Sequence, residues 1–386
     1  MKKSRNLRLA TSFALAAAWF GTHCGSGFAA GAQATSFWVE FGAWAFVLPI
    51  ISGALMGLVA HWEWAFCQTF KTYDYKSFAD KLFHPYEKVF GNIYVVLFMG
   101  IMVMGVSAVF AGAGSLLQTM FGIPYELGVV MIIAITVLLT IFGSKVLMNS
   151  AAILSIILIV VISIVTLTGI VARHDRLTEI AVSWETDFSV WDALWSAVLY
   201  GSFQSTILGS TVNIADNLKT RKDAKVSAVI GFVMNGLMMV AITYMLLGWY
   251  PGIEQEELPV LSALETLSTP FLKPLYSLML LLAFITTAIT CIGSILKRVE
   301  GYGAKRIPNL TLRRGLYSFL LIMLCFGISQ FGLLTIISKG YSAIGYLGIL
   351  FVVIPILFIA PRKIKKHSRV SDDTAMAESG EIGKAK

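Results

Sequence analysis

In the run Gly21-Thr22-His23-Cys24-Gly25-Ser26-Gly27, three glycines alternate with Thr, His, Cys and Ser in the middle of an otherwise apolar stretch. Such a run is expected to unwind a helix. Unwinding frees carbonyls that suit a cation, and it starts a new half-helix whose N–H groups and positive dipole end suit an anion. A second polar run relieved by glycine, Tyr200-Gly201-Ser202-Phe203-Gln204-Ser205-Thr206, interrupts another apolar stretch. The chemistry this calls for is recognition of a small polar solute with an anionic group, and of a cation. The N–H groups of Gly25, Ser26 and Gly27 are expected to take a carboxylate, and His23 to bond a freed carbonyl or the substrate. Tyr200, Ser202, Phe203 and Gln204 would shape the side-chain pocket. No catalyst is needed. The chain has no HExxH, no P-loop and no carboxylate pair at membrane depth, so it is not read as an enzyme.

The elements that must hold these runs follow from composition. The 386 residues are 57% hydrophobic and 13% charged, too little polar surface for a water-soluble globule of this size. Lipid must be the solvent, and helices are the expected spanning form because the period-2 alternation of a barrel is absent. Ten apolar segments of spanning length fall near 8–36, 43–68, 89–119, 125–143, 146–172, 191–215, 224–249, 270–296, 312–330 and 332–360. With the N-terminus inside, all but four of the 30 Lys and Arg fall on one side, the exceptions being Arg173, Arg176, Lys273 and Lys339. The opposite loops are acidic, with Glu179, Glu185 and Asp187 in one and Glu254, Glu256 and Glu257 in another. Both termini are therefore expected in the cytoplasm, in a bacterial inner membrane. The net charge of +8 follows from this topology and does not call for nucleic acid.

Residues 1–35 imitate a secretory signal, with a basic start, an apolar run and an A-x-A-like site. Retention is nevertheless expected, because cleavage would remove the polar run and leave nine spans. Cys24, Cys67, Cys291 and Cys325 form no CxxC pair, so neither a disulfide framework nor a zinc site is indicated. Residues 361–386 read as a disordered cytoplasmic tail. The stretch 254–268 reads as an outer-surface helix or lid.

The two polar runs occupy the first and sixth of ten spans. Interrupted helices at matching places in two halves mark the site of a secondary transporter. The expected fold is therefore all-α and membrane-integral, a 5+5 inverted repeat over residues 1–172 and 190–360. At these residues the chain resembles the amino acid, polyamine and organocation superfamily, with its LeuT-like fold and broken first and sixth helices. More narrowly, F-G-T-H-C-G-S-G-F-A-A-G at 20–31 is similar to the glycine-rich start of the YkvI-like membrane proteins, classed as amino acid permeases.

In the eighth span Ala283, Thr286 and Thr287 share one helical face, and two hydroxyls with a nearby carbonyl would offer three oxygens to a sodium ion. The superfamily resemblance implies a sodium ion between the first and eighth helices. Its ligand pattern falls on the Ala283 carbonyl and the Thr286 and Thr287 hydroxyls, with first-helix carbonyls at Gly21 and Cys24. No organic cofactor is expected. Proton coupling is the competing reading, with Lys145 at the edge of the fifth span and His23 inside the break as candidates. A channel or a non-transporting sensor stands as a further alternative. His61 and Glu63, among Trp62 and Trp64, read as interfacial groups at the inner end of the second span.

Overall fold

A computed structural model describes residues 2–23, 25–142, 144–267, 269–299 and 304–384, with the side chains at 2–7, 26, 140–156, 297 and 370–384 outside the description. The described residues contain helices and no strand. The first span is α1 (Lys2–His23), followed by two short pieces, α2 (Ser26–Ala29) and α3 (Ala32–Phe37). A 3-10 segment, Val39–Phe46, leads into α4 (Leu48–Phe70). Next come α5 (Tyr75–Phe83), α6 (Asn92–Phe121), α7 (Tyr125–Phe142), α8 (Ser144–Ala172) and α9 (His174–Ser183). The second half holds α10 (Val190–Ile207), a 3-10 segment at Leu208–Asn217, α11 (Arg221–Leu247), α12 (Pro259–Glu265), α13 (Leu272–Val299) and α14 (Leu310–Ser329). The last span is assembled from α15 (Leu333–Thr335), α16 (Ser342–Gly348) and α17 (Ile354–Lys384), joined by π-helical turns.

Six of these helical stretches are long and apolar enough to cross a membrane. A seventh pairs Ile157–Ala172 with His174–Ser183 across a 66° bend, and Tyr125–Leu139 is apolar but shorter. The first and sixth expected spans are not in that set; α1 ends at His23 and α10 gives way to a 3-10 segment after Ile207. Large apolar side chains stand exposed on the outer faces, among them Val96, Val171, Leu237 and Phe319. Water would not tolerate such a surface, and lipid does.

Caps fix several helix starts. Asp74 accepts from Lys76 N and Ser77 N at 3.0 and 3.1 Å to start α5. Thr220 and Asp223 form a reciprocal capping box at α11. Helix α4 lies along α11 and α10, and α1 lies along α11. Helix α6 packs on α13, α7 and α14, and α13 also on α8. Lipid gives packed helices no hydrophobic advantage, so close approach at small residues supplies the contact. At Gly231 of α11 a Cβ would stand 2.2 Å from the Trp19 ring of α1.

Helix α17 continues through the basic stretch to Lys384. Ala, Glu, Lys and Met are good helix formers, and extension from an existing apolar helix needs no new nucleus.

Candidate functional site

Helix α1 ends at His23, and α2 begins at Ser26. The break expected at 21–27 is thus present but narrower, with Gly21 still in the last helical turn. The carbonyls of residues 20–23 have no donor four residues on within α1. Among the described residues, the N–H groups of Gly25 and Gly27 have no backbone acceptor, whereas the Gly25 carbonyl accepts from Phe28 N and Ala29 N, both at 3.1 Å. Above the break the chain is held closed. Tyr276 of α13 donates to Ala29 O at 2.7 Å, and Val260 N of α12 donates to Ala30 O at 3.3 Å. Gly31 sits at φ +90° with Val260 Cγ2 2.8 Å from where a Cβ would stand, so both conformation and space exclude a side chain. The stretch expected as an outer-surface helix or lid contains α12, which lies against the broken segment.

His23 is buried and anchors a polar network. Its Nδ1 lies 2.6 Å from Asn235 Oδ1 on α11, and its Nε2 lies 2.7 Å from the Tyr200 hydroxyl on α10. Gln33 Oε1 accepts from Gln204 Nε2 at 3.1 Å and lies 3.3 Å from the Tyr200 hydroxyl. Tyr200 and Gln204 reach the same place because they are four residues apart on one helical face. The Asn235 amide donates to Gly231 O at 2.7 Å, which turns its Oδ1 toward His23 as an acceptor. In neutral His23, Nδ1–H therefore donates to Asn235, and Tyr200 O–H donates to Nε2.

This network borders a cavity of about 80 Å³. Gly25, Gly27, His23, Gln33 and Gln204 line it on one side, and Gly105 of α6, Thr287 of α13 and Tyr341 on the other. A second cavity of about 220 Å³ shares Gly25 and Thr287 and continues past Gly21, Thr286 and Ser210 to Thr290 and Ser294. Thr290 and Ser294 are exposed.

The structure corrects the expected break in the sixth span. Residues 200–206 run as continuous helix inside α10, and α-helix gives way only after Ile207. The hydroxyls read as signs of unwinding serve the helix instead. Ser205 donates to Gly201 O at 2.6 Å and Thr206 to Ser202 O at 3.3 Å, each four residues back. Gly201 is a packing residue, since a Cβ there would lie 2.9 Å from Leu55 Cδ2 and 3.1 Å from Ser52 O.

Ser202 is a second correction. Its hydroxyl donates to Gly345 O at 2.7 Å, toward α16 and away from the cavity. Phe203 packs its ring 4.9 Å from both Tyr200 and Tyr341 and so backs the pocket wall. Of the expected sodium ligands, Gly21, Thr286 and Thr287 meet around the lower cavity. The Thr286 hydroxyl lies 2.9 Å from Leu282 O and 3.1 Å from Ala283 O, which leaves its lone pairs open but occupies the Ala283 carbonyl. Among the described residues, the Thr287 hydroxyl has no partner, and it stands 3.9 Å from where a Gly25 Cβ would be. Cys24 lies outside the described residues, as do the side chains of Ser26 and Lys145.

Sequence reasoning missed Asn235, Gln33, Tyr341 and Gly105. Asn235 had a signal, a fully buried amide within an apolar span. Gly105 read as a packing residue, yet nothing lies within 4 Å of where its Cβ would stand.

No protein-family model matches the chain. The sequence is 25% identical over 353 residues to an uncharacterized membrane protein of Bacillus subtilis, YkvI, covering 90% of this chain and 96% of that one. Among solved structures, a point mutant of the Eremococcus coleocola manganese transporter matches with a TM-score of 0.60 at 18% identity, over 90% of this chain and 78% of that one. MhsT in complex with L-phenylalanine matches with a TM-score of 0.59 at 11% identity, over 92% and 97%. These likenesses establish the fold as the all-helical LeuT-like one that the glycine-rich run resembles.

Proposed function

We propose that the protein is a secondary active transporter of amino acids or similar small zwitterions, coupled to sodium and working by alternating access. One observation carries the reading, which is that an apolar helical frame holds a cavity lined by Gly25 and Gly27 and bordered by a buried polar network at the broken end of α1. A substrate carboxylate would be met by the N–H groups of Gly25, Ser26 and Gly27, and the amine by Gln33, Gln204 and the Tyr341 hydroxyl. Tyr200 orients His23 and Gln33, with Phe203 behind it. Sodium would be held from Gly21 and Cys24 on one side and from Thr286 and Thr287 on the other, with Ala283 reached through Thr286. Oxygen donors of this kind suit a hard cation.

Residues 1–172 and 190–360 would form two inverted halves, each α4- or α6-type helix facing its counterpart α11 or α13 as the observed packing has it. Both termini would be cytoplasmic, in a bacterial inner membrane. The closed cover of α12 and the lower cavity reaching Ser294 suit an inward-leading form.

The His23 network supports a second coupling mode. An imidazolium would donate from Nε2 to the Tyr200 oxygen, releasing Tyr200 O–H to donate to Gln33, so the network accommodates an added proton by turning one hydroxyl.

The test is uptake into proteoliposomes with a panel of labelled amino acids, under a sodium gradient and, separately, a proton gradient. Saturable uptake with counterflow that follows sodium is expected. Uptake indifferent to sodium contradicts the Thr286 and Thr287 site, and unsaturable flux contradicts a carrier.

A further inference from the structure

Glu63 lies on α4, seven residues before that helix ends at Phe70, and it is fully buried rather than interfacial. Both of its carboxyl oxygens lack a hydrogen-bond partner. The Tyr94 hydroxyl of α6 faces it without reaching hydrogen-bond geometry, and that hydroxyl too has no partner. The titratable groups around the carboxyl are Tyr94 and, one turn along α4, Cys67. Among the described residues, no ion pair reaches it from α1, α10, α11, α17 or the 208–217 segment. An ionised carboxylate in that position, with no cation or donor bonded to it among the described residues, is far costlier than a protonated one. A metal ion would need several oxygen ligands where one phenol stands near, whereas a proton needs neither ligands nor space.

The place is also a boundary. Tyr94 Oη lies 3.3 Å from where a Cβ would stand on Gly209, at the start of the 3-10 segment that ends the sixth span. The next residue, Trp64, donates from Nε1 to Thr211 Oγ1 of that segment at 2.9 Å. Glu63 thus rides on α4, which packs with α11, α10 and α17, while Tyr94 belongs to α6, which packs with α13 and α7.

We propose that Glu63 is a proton-binding site coupled to the conformational cycle. The carboxylic acid carries its proton in the form described here. It gives that proton to cytoplasmic water, leaving a carboxylate, when α4 and the 208–217 segment shift against α6 and open the carboxyl to solvent. This rests on the alternating-access reading but not on the identity of substrate or coupling ion. Acid on the cytoplasmic side therefore favours the present form, and alkali favours the other.

Two measurements on full-length protein in nanodiscs test it. Infrared difference spectra between acidic and alkaline pH are expected to show one protonated-carboxyl band that Glu63→Gln removes and Glu63→Asp shifts. A band unmoved in whichever of the two variants folds overturns the assignment, and an imidazole signal in its place assigns the proton to His23. Spin labels on Asp216→Cys and Lys88→Cys report the inner opening. Their distance distribution is expected to change with pH in the wild type, and to stay in the acidic distribution at every pH in Glu63→Gln. A distance that responds to sodium but not to pH overturns the Glu63 proposal alone, and one that responds to neither overturns alternating access with it.

Discussion

Between His23 and Ser26 the first span gives up its helix, and from Tyr200 to Thr206 the sixth keeps it, although both runs set glycine among hydroxyl residues. The difference lies in how many glycines there are and in what the hydroxyls can reach. Each interior glycine costs a helix about 1 kcal/mol relative to alanine. Three within seven positions outweigh the roughly 0.5–1.5 kcal/mol net of any one backbone hydrogen bond lost by unwinding. The sixth span has one glycine there, and tight packing on Leu55 and Ser52 compensates it. Its hydroxyls bond carbonyls of their own helix. The two spans therefore divide the labour, with α1 presenting free backbone to the cavity and α10 presenting side chains from an intact helix.

The largest expected effect comes from filling the space that the first break opens. Gly105→Leu should lower uptake roughly 100-fold or more by occupying the cavity, the equivalent of about 3 kcal/mol of lost substrate binding. Its thermal midpoint should hardly move, because nothing lies within 4 Å of that position. Next is His23→Ala, which strands Asn235 Oδ1, while the Tyr200 hydroxyl keeps Gln33 and Gln204. An unpaired buried group costs about 1–3 kcal/mol, so apparent substrate affinity should fall roughly tenfold or more in a flux assay.

The comparison is sharpest at two glycines. Gly201→Ala should cost about 1–3 kcal/mol of stability by forcing α10 off α4, read as a lower thermal midpoint with half-saturation for substrate unchanged. Gly27→Ala should do the reverse. Its new methyl meets the end of the Gln33 amide at 3.0 Å and the Tyr341 hydroxyl at 3.9 Å, both side-chain ends, so affinity falls while the midpoint holds. Equal behaviour of the two variants would break the division of labour proposed here.

Smaller again is the threonine pair. Thr287→Ala should raise the sodium concentration for half-maximal uptake severalfold more than Thr286→Ala, because only the Thr287 hydroxyl is unspent on its own helix. Smallest is Asp74→Ala at the start of α5, expected to cost about 1 kcal/mol and to leave transport unchanged. Burial alone would raise the Asp74 carboxyl, but the donors from Ser77 and Lys76 more than offset it and hold it below the usual carboxylate range. Its cap is therefore fully present at neutral pH and is lost as acid protonates it, which urea melts at two pH values would show.

Apolar length made the helical frame legible, because lipid imposes it directly on sequence. The first break was legible for the same reason, since glycine content acts locally. The sixth was misplaced because Gly201 and its hydroxyls answer to tertiary neighbours that sequence does not display. Asn235, Gln33 and Tyr341 join the site from separate elements, and no spacing connects residue 23 to residue 235. Glu63 was misread because two flanking tryptophans suggest an interface, whereas Trp64 is itself buried against Thr211.

Amide hydrogen exchange in nanodiscs measures the contrast directly. The N–H groups of Gly25 and Gly27 should exchange orders of magnitude faster than those of residues 203–206, and slow on adding sodium with a transported amino acid. Equal, helix-like protection at Gly25 and Gly27 without either ligand would contradict the account.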